Sequence, residues 1–168
     1  MAGISYKLAA ILFGVGVTLH NLEEALFLVS WSRTHLKLWF TPDPRIYWVV
    51  TSLVSVVIWI PIVGVCVWPE NAHFQFALSG FALAMAVNAM LPHLVMSAAT
   101  RSYSPGTGTG MLLNLPLGVW LIHQQVSARV LVDIWWQAVP YAVALAVAAF
   151  ASLFGAHVIL AWKRDSQT

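Results

Sequence analysis

The sequence predicts an all-α, polytopic membrane helix bundle of about five transmembrane helices, a single integral-membrane domain over residues 1–168, and three observations carry that expectation. Of the 168 residues, 60% are hydrophobic and only 8% charged, against roughly 25% charged in soluble domains. The apolar residues gather into runs of about 20, the length that crosses a hydrocarbon core of about 30 Å at 1.5 Å per residue. No polar stretch is long enough for a separate globular domain, which excludes a soluble enzyme and leaves no surface for a nucleic acid.

Five runs fit, in order. Span one, Leu8–Trp31, follows Lys7 and lacks a small-x-small cleavage pattern, so it reads as a retained helix and not a signal peptide. Span two, Ile46–Trp68, holds Cys66, a single cysteine that has no internal disulfide partner and reads as packing. Gly80, Ala84 and Asn88 recur every four residues along span three, Phe74–Ala99, a stripe suited to close helix contact. Asn114, Pro116, His123, Gln124 and Gln125 dilute span four, Thr109–Val130, which leaves a tilted or re-entrant segment as its alternative. Span five is Ile134–Trp162. Pro61, Pro92, Pro116 and Pro140 fall inside four of these spans, each freeing a backbone carbonyl, and bent helices around a cavity are the expected result.

Basic residues give the orientation. With five crossings, one side receives Arg33, Lys37, Arg45, Arg101, Lys163 and Arg164, and the other only Lys7 and Arg129. The excess marks the cytoplasmic side and places the N-terminus outside and the C-terminus in the cytoplasm, integral to the cytoplasmic membrane. Trp31, Trp39, Trp48 and Trp162 then lie at one interface and Trp68, Trp120, Trp135 and Trp136 at the other, as aromatic belts do. Trp59 sits mid-span.

Inside span one stands His20-Asn-Leu-Glu23-Glu24. An ionisable residue in the bilayer core is costly and points to function. At about 100° per residue, Glu23 lies about 60° to one side of His20 and Glu24 about 40° to the other, so all three share a face. Asn88 and His93 in span three, Asn114 in span four and His157 in span five fall at the same depth under this orientation, so seven polar side chains from four helices converge. His20, Glu23, Glu24, His93 and His157 are the candidate metal ligands, because His with Glu one turn on is the spacing that bundle metal sites use. His and carboxylate donors suit zinc or non-haem iron. The chain lacks the many-histidine boxes of a membrane di-iron oxygenase, which favours zinc. Arg101 and the glycine-rich turn after it, Tyr103-Ser-Pro-Gly106, precede a helix and could hold a phosphate or carboxylate group.

The HNLEE segment, Asn88, His93 and the Tyr103-Ser-Pro-Gly106 turn after an arginine resemble the HxxEE-motif family of small bacterial integral-membrane proteins, in the same order over about Leu8 to Pro116. The resemblance implies that His20, Glu23, Glu24, Asn88, His93, Tyr103, Pro105 and Gly106 are the family positions. It leaves the reaction open.

The leading expectation is an integral-membrane enzyme that acts on an apolar or lipid-like small molecule through a cytoplasm-facing site. Metal-assisted hydrolysis is favoured within it. His20, Glu23, Glu24, Asn88 and His93 are the candidate catalytic residues, with one of the carboxylates as general base. Arg101, Tyr103, Gly106, Asn114 and Trp59 are the candidate substrate-binding residues. An acid-base isomerase or cyclase without a cofactor is the alternative, with Trp59 stabilising developing cation character. A proton-coupled small-molecule transporter is the third reading; the polar groups cluster in one half of the membrane and the spans show no inverted repeat, although a homo-oligomer would supply symmetry. Membrane lipids are the surrounding partners in every case.

Overall fold

A computed structural model gives the fold. It describes residues 2–36, 43–127 and 135–165, and for residues 2, 3, 135, 150 and 153–165 the backbone alone. Lys37, Trp39 and Arg129 lie outside the described residues, as do the side chains of Trp135, His157, Trp162, Lys163 and Arg164. The described residues are helical almost throughout and contain no strand.

Helix α1 is Ala2–His35. Helix α2, Pro44–Val67, starts where local chemistry dictates: the Asp43 side chain accepts the Arg45 N–H at 2.8 Å and Pro44 opens the first turn. Asn71 caps α3 in the same way, accepting the His73 N–H at 3.0 Å. Helix α3, Ala72–Thr100, contains a π-helical turn, Ala89–Leu94, and ends on Arg101 in the left-handed conformation at φ 51°. A turn leads into α4, residues 107–127, which carries a second π turn at Gly110–Asn114. Helix α5, Ala138–Asp165, follows a single 3-10 turn.

Three of these helices are long and apolar enough to cross a membrane: Ile4–His35, Pro44–Val67 and Ala72–Thr100. The fourth span expected from sequence is a helix divided by its π turn, and the fifth contributes a shorter apolar stretch, Ala138–Ala149, among the described residues. Pro92 lies within the first π turn and Pro116 two residues beyond the second. A proline ring clashes with the carbonyl four residues back, and widening the turn relieves that clash without breaking the helix.

Helix α1 packs on α2 and α4, α3 lies against α2, α4 and α5, and α5 also meets α2. Gly14 brings α1 against Trp59 and Ile62 of α2, and Gly64 receives the Phe74 ring of α3. Phe13, Val17, Ile58, Ile62, Leu78 and Leu121 form the dry centre. Outside, α1 presents Leu8, Ile11, Leu12, Val15, Leu19, Leu22 and Leu26, all exposed. Polar side chains are what the bundle hides: His20, Asn21, Glu24, Gln75, Ser79, His93, Asn114 and Gln125 are buried. A broadly apolar exterior, with polar side chains kept inside beside the dry centre, suits a lipid environment.

Lys7 donates to the Cys66 carbonyl at 2.7 Å, which fixes the start of α1 beside the end of α2. At the other end, the Trp31 indole donates to Ser102 Oγ at 3.1 Å, and His35 lies 3.2 Å from the same hydroxyl. The end of α1 and the end of α3 therefore share one face of the bundle.

Candidate metal centre

The HxxEE spacing sets His20, Glu23 and Glu24 on the inward side of α1, and the structure gives the two carboxylates different partners. Glu24 is buried, and its Oε1 lies 3.2 Å from His20 Nε2 and 2.6 Å from His93 Nε2. Its other oxygen accepts the Tyr47 hydroxyl of α2 at 2.8 Å. Glu23 points to the loop between α3 and α4: Oε1 accepts the Tyr103 hydroxyl at 2.5 Å and Oε2 accepts the Thr109 hydroxyl at 2.6 Å. Tyr103 in turn accepts the Gly108 N–H at 3.0 Å. Partial burial and the bond to Glu23 hold the Tyr103 phenol above its ordinary range, so it stays a donor.

Thr109 also lies 3.0 Å from His20 Nδ1. Its single hydrogen goes to the Glu23 carboxylate, so its lone pair receives the Nδ1–H of His20. The Nε2 of a neutral His20 is then an open lone pair aimed at Glu24 and His93. The imidazole is held at Nδ1 by Glu23 through Thr109, and its Nε2 faces Glu24 Oε1 at 3.2 Å.

His93 reaches the same point because of the π turn. In an α-helix, residues five apart stand about 140° from one another, whereas a π turn closes on i and i+5. Asn88 and His93 are five apart, and Asn88 Nδ2 lies 3.1 Å from His93 Nε2, 3.0 Å from His20 Nε2 and 3.5 Å from Glu24 Oε1. The imidazoles of His20 and His93 meet edge to face, with centroids 5.1 Å apart. Ligand-type atoms of His20, Glu24 and His93 all fall within 4.8 Å of one another, and all three residues are buried.

Gly106 closes the site. Its φ of 94° is one that L side chains rarely adopt, and a Cβ there would stand 2.6 Å from His93 Cε1 and 3.0 Å from His20 Cε1. The Tyr103-Ser-Pro-Gly106 turn thus packs its backbone on the edges of both imidazoles. Two cavities adjoin the cluster: one of about 210 Å³ reaches Glu24, Asn88, His93 and Tyr47, and one of about 280 Å³ lies between Trp31, Leu36, Tyr47, His93 and Met96.

Of the residues expected from sequence, His20, Glu24, His93 and Asn88 meet directly, and Glu23, Tyr103 and Gly106 stand immediately around them. Asn114 is fully buried next to Gly16, one turn back along α1 from His20, and neither atom of its amide has a partner among the described residues. Arg101 is exposed at the end of α3 and lines neither cavity. Trp59 does not reach the cluster: its indole donates to Thr18 at 3.4 Å, and Thr18 stands about 160° around α1 from His20. His157 lies outside the described side chains. Spans one and three supply the cluster, α2 and α4 bring Tyr47 and Thr109 to it, and α5 reaches the adjoining cavity of about 210 Å³ through Ala149.

Sequence reasoning missed Tyr47 and Thr109. A lone tyrosine in an apolar span is a signal in itself, because a buried phenol needs a partner. Thr109 carries no such mark. It is one of two threonines among the glycines of residues 106–110, and only packing selects it.

Comparison with known proteins gives a family. The family described as "Protein of unknown function with HXXEE motif" matches residues 11–121, and the chain belongs to that family. The chain is 29% identical over 120 residues to the Uncharacterized protein YrkK of Bacillus subtilis (strain 168), a match that covers 71% of this chain and 76% of the relative. No solved structure matches.

Proposed function

We propose that this chain is an integral-membrane, metal-dependent enzyme acting on an apolar or lipid-like molecule, with His20, His93 and Glu24 as the metal ligands and hydrolysis as the reaction class. The convergence of two imidazole nitrogens and one carboxylate oxygen within 4.8 Å carries this reading. Two His and one carboxylate form a recurrent catalytic zinc set, which leaves a position for water or substrate. The surroundings fit as well. Metal-binding histidines are usually oriented through the second ring nitrogen, as Thr109 and Glu23 orient His20, and Tyr47 holds the free oxygen of Glu24.

When bound, zinc supplies a polarised water or carbonyl at neutral pH. The chain does the rest. Tyr47 and His93 border both cavities, whose other walls include Leu28 and Pro92, so an apolar substrate can lie against the ligands with its reacting group alone in polar surroundings. Thr109 and Tyr103 both donate to Glu23, which fixes the Thr109 hydroxyl as the acceptor of the His20 Nδ1–H and keeps His20 Nε2 turned toward the centre.

One observation favours a second reading, acid-base chemistry without metal. The 2.6 Å approach of His93 to Glu24 is already a hydrogen bond that a shared proton satisfies. Metal analysis separates the two. Protein purified in mild detergent should hold one zinc per chain, lost in His20→Ala and in Glu24→Gln. Glu23→Gln should keep the metal with affinity about 10–100-fold lower, the usual effect of losing an outer partner. A wild-type protein that takes up no zinc on titration would overturn the metal reading. We further place the chain in the cytoplasmic membrane with its N-terminus outside, on the strength of its basic residues.

A further inference from the structure

We infer that Asn88 is the fourth ligand of this centre, through its side-chain oxygen, and that it is the ligand a substrate carbonyl or water displaces. The inference rests on the metal reading above and specifies its coordination. Four donor atoms arranged tetrahedrally at 2.0–2.1 Å from zinc stand about 3.3–3.4 Å from one another. The separations here are 2.6 Å for His93 to Glu24, 3.2 Å for His20 to Glu24, and 3.0, 3.1 and 3.5 Å from the Asn88 amide to His20, His93 and Glu24. The amide stands within 3.5 Å of all three donor atoms, the spacing at which a fourth ligand would lie.

Hydrogen counting leads to the same place. An NH₂ at that corner has hydrogens for His20 Nε2 and Glu24 Oε1, but its 3.1 Å contact with His93 Nε2 then sets donor against donor, because His93 Nε2 supplies the proton to Glu24 at 2.6 Å. The two ends of a carboxamide have nearly the same shape, so a half-turn about χ2 puts Oδ1 at the same position. With a cation at the centre, all four atoms are lone-pair donors and no hydrogen is missing. The helices then contribute symmetrically: α1 gives His20 and Glu24 one α turn apart, and α3 gives Asn88 and His93 one π turn apart.

Asn88 differs from its three partners in ways that make it the exchangeable one. It is neutral, hence the weakest donor of the set, and it is half-buried where the others are buried. It also borders both the cavity of about 210 Å³ beside Glu24 and a second of about 460 Å³ between α3 and α5. No Lys or Arg lines either cavity among the described residues. A neutral carbonyl oxygen, as in an ester or amide between apolar arms, is therefore the substrate group that fits Asn88's corner, and a phosphate head group is not.

Cobalt(II)-loaded full-length protein in mild detergent provides the test, read by ligand-field absorption and by competition with zinc. Wild type should give a four-coordinate spectrum. In Asn88→Ala, zinc affinity should fall at least tenfold, and the cobalt spectrum should change and respond to added acetamide. Asn88→Asp, which keeps the shape, should bind zinc more tightly than wild type, because a carboxylate is the stronger ligand; if Asn88 served only as a hydrogen-bond donor, the same variant would bind more weakly. An Asn88→Ala protein with wild-type affinity and spectrum, or an Asn88→Asp protein with reduced affinity, would overturn the inference. A wild type that binds neither metal would instead overturn the reading beneath it.

Discussion

At the scale of single residues, the two adjacent glutamates of HxxEE do different things because a helix sends neighbouring side chains about 100° apart. Glu24 goes to the Nε2 side of His20, and Glu23 goes to the loop that controls Nδ1. The motif, the shared face and the depth of Asn88 and His93 are legible in the sequence, since each follows from spacing along a helix. The partners of Glu23 are not, because which hydroxyl from which loop arrives there is decided by packing across 80 or more residues. Gly106 is where that packing is tightest. Gly106→Ala adds roughly 1–3 kcal/mol of backbone strain, and its methyl would also displace the His93 ring, 2.6 Å away. We expect a thermal melt in detergent to fall measurably and zinc retention to drop with it. An alanine variant as stable as wild type, with its metal intact, would show that the turn does not press on the imidazoles.

At the scale of elements, hydropathy locates helices and cannot see their pitch. Pro92 and Pro116 mark where two helices must depart from α geometry, but a kink, a break and a π turn share one composition. The choice matters here, because it decides whether Asn88 and His93 meet. Pro92→Ala restores an amide hydrogen and removes the clash with the Asn88 carbonyl, freeing this stretch of α3 to close as an ordinary turn. The two side chains would then stand about 140° apart. We expect helicity by circular dichroism to be unchanged or slightly higher while zinc affinity falls by about tenfold or more. Wild-type affinity in Pro92→Ala would mean that contact with α1 and α4 holds the turn and the proline does not.

At the scale of the whole molecule, two polar networks brace a bundle whose exterior is apolar. One is the His/Glu centre. The other, near the opposite end, joins Gln125 of α4 to Ser79 at 2.7 Å, to Tyr6 at 3.2 Å and to the Gln75 carbonyl at 3.3 Å, tying α1, α3 and α4 together. Glutamines in span four look in the sequence like dilution of a membrane helix; in the fold Gln125 is fully buried and fully bonded. That changes how the fourth helix should be judged, since a polar residue satisfied inside the bundle does not weaken its case for crossing. Charge placement agrees. Trp31 and His35 meet Ser102, so Arg33 and Arg101 stand at one end of the bundle, while Lys7 lies at the other against the Cys66 carbonyl. If α4 and α5 both cross, the chain passes the membrane five times and its ends fall on opposite sides. Reporter fusions after Trp68 and after Thr168 should then report outside and inside respectively, with the basic end and the His/Glu cluster toward the cytoplasm. Both reporters on the same side would mean that residues 107–127 turn back within the bilayer, and the centre would then face a re-entrant segment through Thr109 and Gly110.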